Sequence, residues 1–145
     1  MIEARAYGPE STTGERQALR RRVRRLSHDV ILYEEVPVQS HFQIDLMFER
    51  LTEVSQGLDQ FYYVISLCDA GRPTADTREH IKQRFREFHP RIQHTSVYTG
   101  KNFMLNVAIK FVFNGFGLHS YSIHRSLPQA LDQIEYMRGL RAMHA

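Results

Sequence analysis

Apolar positions recur along this chain with two periods, and each switch of period marks the boundary of an element. Val30–Val36 (VILYEEV) and Phe61–Leu67 (FYYVISL) are runs of β-branched and aromatic residues, the mark of strands. The second run is continuous, as in a strand covered on both faces. After Pro37 the period lengthens: Ile44, Met47, Phe48, Leu51, Val54 and Leu58 fall at helical spacing. Ser40 stands before them and opens a capping box with Gln43. A second helix is expected from about Thr74, with a narrow apolar stripe of Ile81, Phe85 and Phe88, and Pro90 to end it. Ile92–Tyr98 (IQHTSVY) reads as a strand and Thr99–Asn102 as a turn. A third helix follows from Phe103 to about Phe113, closed by Asn114, Gly115 and Gly117, and then a short strand, Leu118–His124. Ser126 opens a second capping box (S-L-P-Q) with Pro128 in the first turn. Ala130, Leu131, Ile134, Met137 and Leu140 give the last helix its buried stripe.

The N-terminal segments are less clearly patterned. Residues 1–18 hold Gly8, Pro9, Gly14 and a Ser-Thr-Thr cluster with few apolar positions, which predicts a flexible tail ahead of a single domain, 19–145. Ala18–Leu26 (ALRRRVRRL) fits both periods. As a helix it aligns Leu19, Val23 and Leu26; as a strand it pairs with Val30–Val36 across a turn near His28-Asp29. The strand is favoured, because the next segment is β and arginine-rich strands make protected sheet edges. The resulting order, β-β-α-β-α-β-α-β-α, predicts an α/β fold. It has a single mixed, mostly parallel sheet of about five strands and four helices, with the first hairpin adding an antiparallel edge strand.

At 145 residues and 42% hydrophobic, the chain can bury a core without staples. Its one cysteine, Cys68, excludes an intramolecular disulfide and points to the cytoplasm. No apolar run approaches the roughly 18–20 residues of a membrane span, and no secretory signal opens the sequence. The net charge of +3 is unevenly placed: residues 1–27 carry seven arginines against Glu3, Glu10 and Glu15, and the rest is slightly acidic. The Arg20–Arg25 cluster has no interleaved aromatics and no reading motif, so a solvated edge is expected and not specific nucleic-acid binding.

Two short motifs, D-A-G-R-P after the central strand and V-Y-T-G-K-N before the third helix, combine with the element order over residues 20–140. In these features the chain resembles the SpoIIAA-like branch of the STAS domains, relatives of bacterial anti-sigma-factor antagonists. The resemblance implies a non-enzymatic regulatory or scaffolding module acting through protein–protein interaction. In the antagonists a serine after the Asp matched here by Asp69 accepts a phosphate. Ala70 and Gly71 occupy the following positions, so the phosphoacceptor hydroxyl is missing.

No residue pattern specifies catalysis, a metal or a cofactor. Thr99-Gly100-Lys101 fails as a phosphate loop, because Thr95 stands where a glycine is required and Asn102 where a Ser/Thr would bind magnesium. Gly115-Phe116-Gly117 follows a helix, so it is no dinucleotide fingerprint. His89 and His94 are split by Pro90, while His119 and His124 fall on opposite faces of a strand. Cys68 beside Asp69 has no histidine predictably adjacent to activate it. Two places remain. The loop Asp69, Ala70, Gly71, Arg72 and Thr74 lies at a strand's carboxyl end and a helix N-terminus, where an anion or a partner binds, or where Thr74 is simply an N-cap. The third helix is apolar nearly all round: Phe103, Met104, Val107, Phe111, Phe113 and Phe116 suit a homodimer interface, a ligand wall or plain core. A homodimer, with another regulatory protein as further partner, is the first expectation; an apolar or anionic small-molecule sensor is the second.

Overall fold

The computed structural model describes residues 6–37, 39–101, 110, 113–115 and 120–144. It is α/β, built on one five-stranded mixed sheet of order β1-β2-β3-β4-β5. β1 (Val23–Ser27) and β2 (Val30–Glu34) form the antiparallel hairpin, while β3 (Phe61–Ser66), β4 (Ile92–Tyr98) and β5 (Tyr121–His124) run parallel to β2. Neighbours in space are neighbours in sequence, so the order never reverses. The crevice that a doubly wound sheet opens at its switch point is therefore absent from this sheet.

Alternation along the strands sorts the sheet into two faces. Ile31, Tyr33, Phe61, Tyr63, Ile65 and Val97 point to one side. There they pack under α2 (His41–Val54) and α3 (Ala75–Phe85) in the larger core cluster. Val30, Leu32, Tyr62, Val64 and Tyr98 point to the other, under α4 (Leu127–Met143), through Ala130 and Ile134. All six β3 residues are buried, as expected of a strand covered twice. The helix starts also follow the sequence. Ser40 and Gln43 form the full capping box of α2, and Thr74 accepts the Thr77 N–H at the start of α3. Ser126 accepts from Gln129, whose side chain turns instead to the Arg125 N–H.

The structure departs from expectation at three places. Residues 6–18 are not a tail: α1 (Thr13–Arg20) starts from a Thr12–Glu15 capping box, and Leu19 is fully buried. Ahead of it Tyr7 is buried, and its carbonyl accepts a 2.6 Å hydrogen bond from the Ser40 hydroxyl, which ties this segment to α2. The ambiguous Ala18–Leu26 is divided between both periods. The helix runs to Arg20 and the strand starts at Val23, so Leu19 and Val23 both reach the core. Pro90 does not end α3, which stops at Phe85; it sits in a 3₁₀ turn, His89–Arg91, where its missing N–H costs nothing. The last strand is described only from Tyr121. The expected start at Leu118 and most of the third helix lie outside the described residues.

No helix among the described residues is long and apolar enough to cross a membrane.

Candidate functional site

The chain leaves β2 through residues 35–37, with 39–40 beyond, and β3 through residues 67–74. Because these strands are parallel neighbours, both exits lie at the carboxyl edge of the sheet. They approach so closely that a Cβ on Gly71 would stand 1.9 Å from the Pro37 carbonyl oxygen, so glycine is required there. The pinch leaves an open concavity of about 150 Å³. Pro37 and Gln39 form one wall; Gly71, Arg72, Pro73, Thr74 and Thr77 form the other. The second wall is the N-terminus of α3, where backbone N–H groups and the helix dipole favour negative charge. Arg72 is exposed and makes no ion pair with any described residue. Thr74 donates to the Thr77 hydroxyl at 2.9 Å while capping Thr77 N–H.

Behind the Gln39 wall lies Glu35, only 9% exposed. Burial pushes its carboxyl up to about 7, against the opposing pull of the Val36 N–H, the Arg22 guanidinium and a hydrogen bond from Gln39. Arg22 does not pair with that carboxylate directly. It donates to the backbone carbonyls of Glu34 and Glu35 and to the Asp69 carboxylate, at 3.0, 2.9 and 3.2 Å. One arginine thus fastens the β1 entry, the end of β2 and the loop after β3. The Gln39 amide oxygen is buried and has no hydrogen-bond partner among the described residues.

Of the loop residues proposed from sequence, the structure brings Gly71, Arg72 and Thr74 together at the concavity. Asp69 is held by Arg22, and neither Asp69 nor Ala70 lines the concavity. Sequence reasoning missed Pro37, Gln39, Thr77 and Glu35. Glu35 carried a signal: in V-I-L-Y-E-E-V, alternation puts it on the same buried face as Ile31 and Tyr33. Among the apolar residues of the third helix, Phe113 is buried, packs edge-on against Tyr121 and belongs to the core. Phe103, Met104, Val107, Phe111 and Phe116 lie outside the described residues. Cys68 is exposed, near the turn at Gly100.

The α4 face holds a second polar group. His94 is 4% exposed, with one ring nitrogen 2.7 Å from the Ser120 hydroxyl and the other 2.8 Å from that of Ser122. Ser122 also contacts His124 Nε2 at 2.7 Å and Ser96 at 3.4 Å. Burial lowers both imidazoles, His94 to about 4, so both are neutral near pH 7. One consistent set of protons runs Ser120 to His94 to Ser122 to His124, and the reverse set is equally complete. Such a satisfied network fastens the short β5 to β4. Among the described residues no group of three or more His, Cys, Asp or Glu is placed to hold a metal ion.

The cation cluster is mostly consumed by the fold. Arg20 pairs with Glu53 and Arg24 with Glu34, while Arg25 donates to the Val54 and Gln56 carbonyls at the end of α2. No family model, curated protein or solved structure matches the chain, so the likeness to SpoIIAA-like STAS domains gains nothing from comparison.

Proposed function

We propose that the chain is a non-enzymatic small-molecule-binding or sensing protein that takes an anionic ligand in the Gly71–Thr77 concavity. The observation that supports this most is the close approach of Gly71 to Pro37, which shapes a recess against the first turn of α3 beside Arg72, a cation with no ion pair among the described residues. Backbone donors, the helix dipole and one guanidinium together suit an oxyanion. Sulfate titration followed by amide NMR tests it. Saturable shifts should centre on residues 71–77, and Arg72→Ala should weaken them several-fold. Shifts that do not saturate, or that centre elsewhere, would overturn the reading.

A regulatory module acting by self-association is the second reading, favoured by α4. Tyr136 and Met143 are 61% and 78% exposed on its outward side, with Leu140 partly exposed between them. Tyr136→Glu should lower the mass in solution if this side is an interface, and leave it unchanged otherwise.

A further inference from the structure

We propose that Ser120 is a covalent modification site, a serine activated by His94 to accept the acyl group of an activated ester. The site lies on the α4 face of the sheet and is independent of the anion concavity. Ser120 is exposed just ahead of β5, where its backbone carbonyl accepts from the Thr95 N–H. Its hydroxyl stands 2.7 Å from His94 Nδ1. His94 is 4% exposed and is held from behind. Its Nε2 lies 2.8 Å from the Ser122 hydroxyl, which in turn lies 2.7 Å from His124 Nε2. A nucleophile within hydrogen-bond reach of a base, with that base oriented by a third group, is the arrangement that activates a hydroxyl. Here Ser120 is the one exposed member of the four.

With Ser120 as the first donor, every member of the chain passes its proton in the same direction. Ser120 Oγ attacks the ester carbonyl carbon as its proton moves to His94 Nδ1. The Nε2 proton of His94 moves to Ser122, and the Ser122 hydroxyl proton moves to His124 Nε2. The Oγ–C bond forms, and the bond from that carbon to the leaving oxygen or sulfur breaks. The leaving group departs with that electron pair, and His124 returns the proton to it through solvent. The relay matters because burial lowers His94 to about 4, so a charge kept there is costly. His124 is only half-buried, so the charge ends on the imidazole nearer to water.

A fluorophosphonate is the probe: Ser120 Oγ bonds phosphorus while the P–F bond breaks and fluoride leaves. Adduct formation on the folded full chain is followed by mass, and its position is read by peptide mapping. One adduct is expected, on Ser120, formed at least about 100-fold faster than on the urea-unfolded chain, the lower end of what a positioned base contributes. Ser120→Ala should abolish it, and His94→Gln should slow it by about the same 100-fold. Ser122→Ala keeps the Ser120–His94 contact and cuts the relay, so it should also slow the reaction; an unchanged rate there overturns the relay. The pH profile separates this role from a merely structural one. Neutral imidazoles are required, so the rate should be level above about pH 6.5 and fall in acid. A rate that climbs steadily with pH is that of an unassisted serine and overturns the proposal, even where His94→Gln fails to fold. So does an adduct that persists in Ser120→Ala, or a folded chain labelled no faster than the unfolded one.

Discussion

The two faces of the sheet bury opposite kinds of titratable group and treat them differently. On the α2–α3 face Glu35 is an acid pushed up to about 7; on the α4 face His94 is a base pushed down to about 4. Desolvation is the first cause of both shifts, and each favours the neutral form of its group. They differ in what surrounds them. His94 has a serine on each ring nitrogen, so its neutral form leaves nothing unpaired and its titration lies far from working pH. The Glu35 carboxyl accepts from the Val36 N–H at 3.2 Å, and Gln39, which lines the recess, has a buried amide oxygen with no hydrogen-bond partner among the described residues. A fully partnered buried group serves the fold first. A half-partnered one, titrating near neutrality beside a surface concavity, is where function is to be sought.

The largest expected effect tests how each face is held. Among the described residues α4 covers its face alone, while α1, α2 and α3 share the other. Ile134→Ala should therefore cost about 2–5 kcal/mol in denaturant unfolding. Hydrogen exchange in α4 should accelerate while the buried turn of α2 at Met47–Leu51 keeps its protection. Uniform loss of protection would show that the two faces unfold as one unit.

The second prediction sets acid against base. His94 has a folded value below its unfolded one, so its contribution is present above about pH 6.5 and is lost as pH falls towards 4. Glu35 has a folded value above its unfolded one, so its contribution is present below about pH 4.5 and is lost as pH rises through 7. Over the shared window the two slopes oppose each other, and the wild-type stability profile should be nearly flat. Glu35→Gln should gain about 3 kcal/mol near pH 8 and almost nothing near pH 4.5, exposing the histidine slope alone. His94→Gln should expose the opposite slope. Urea midpoints across pH read both, and a single slope shared by all three proteins would dismiss the pairing.

Much of the fold was legible because it rests on local rules. The period switches located β2 to β4, and Ser40, Thr74 and Ser126 marked the helix starts. Composition misled at the N-terminus. Glycine, proline and serine around residues 8–14 look like a tail, yet Thr12 and Glu15 form a capping box that was there to be read, and Leu19 supplies the anchor. The site was half legible. The loop 69–74 follows from strand and helix order, but its opposite wall comes from the segment after β2. Only parallel pairing of β2 with β3 brings that segment alongside, and pairing is not a local property. The serine–histidine network was hidden likewise, since His94 and Ser122 meet across strands far apart in sequence.

A smaller effect is expected where the arginines work as fasteners. Arg25 supplies donors to the Val54 and Gln56 carbonyls, which the end of α2 leaves without helical partners. Arg25→Ala should cost about 1 kcal/mol and fray the last turn of α2 in exchange measurements. An unchanged midpoint would mean that water replaces the guanidinium without loss.

The smallest effect separates Arg21 from Arg22, adjacent residues with opposite surroundings. Arg21 is exposed, and its side chain makes no hydrogen bond or ion pair with any described residue. Arg22 is half-buried and fastens two carbonyls and Asp69. Arg21→Ala should change stability by less than about 0.5 kcal/mol, as exposed substitutions usually do. Arg22→Ala should be clearly destabilising, because it strips a shared donor from three acceptors. The same contrast bears on nucleic acid. With Arg20, Arg22, Arg24 and Arg25 engaged by the fold, few of these cations are left to displace counterions, so binding to duplex DNA should be weak and vanish with added salt. Arg21→Ala should reduce even that residue of binding at low salt while leaving the unfolding midpoint in place. Sequence-selective binding that persists at physiological salt would show that these arginines leave their internal partners for the nucleic acid.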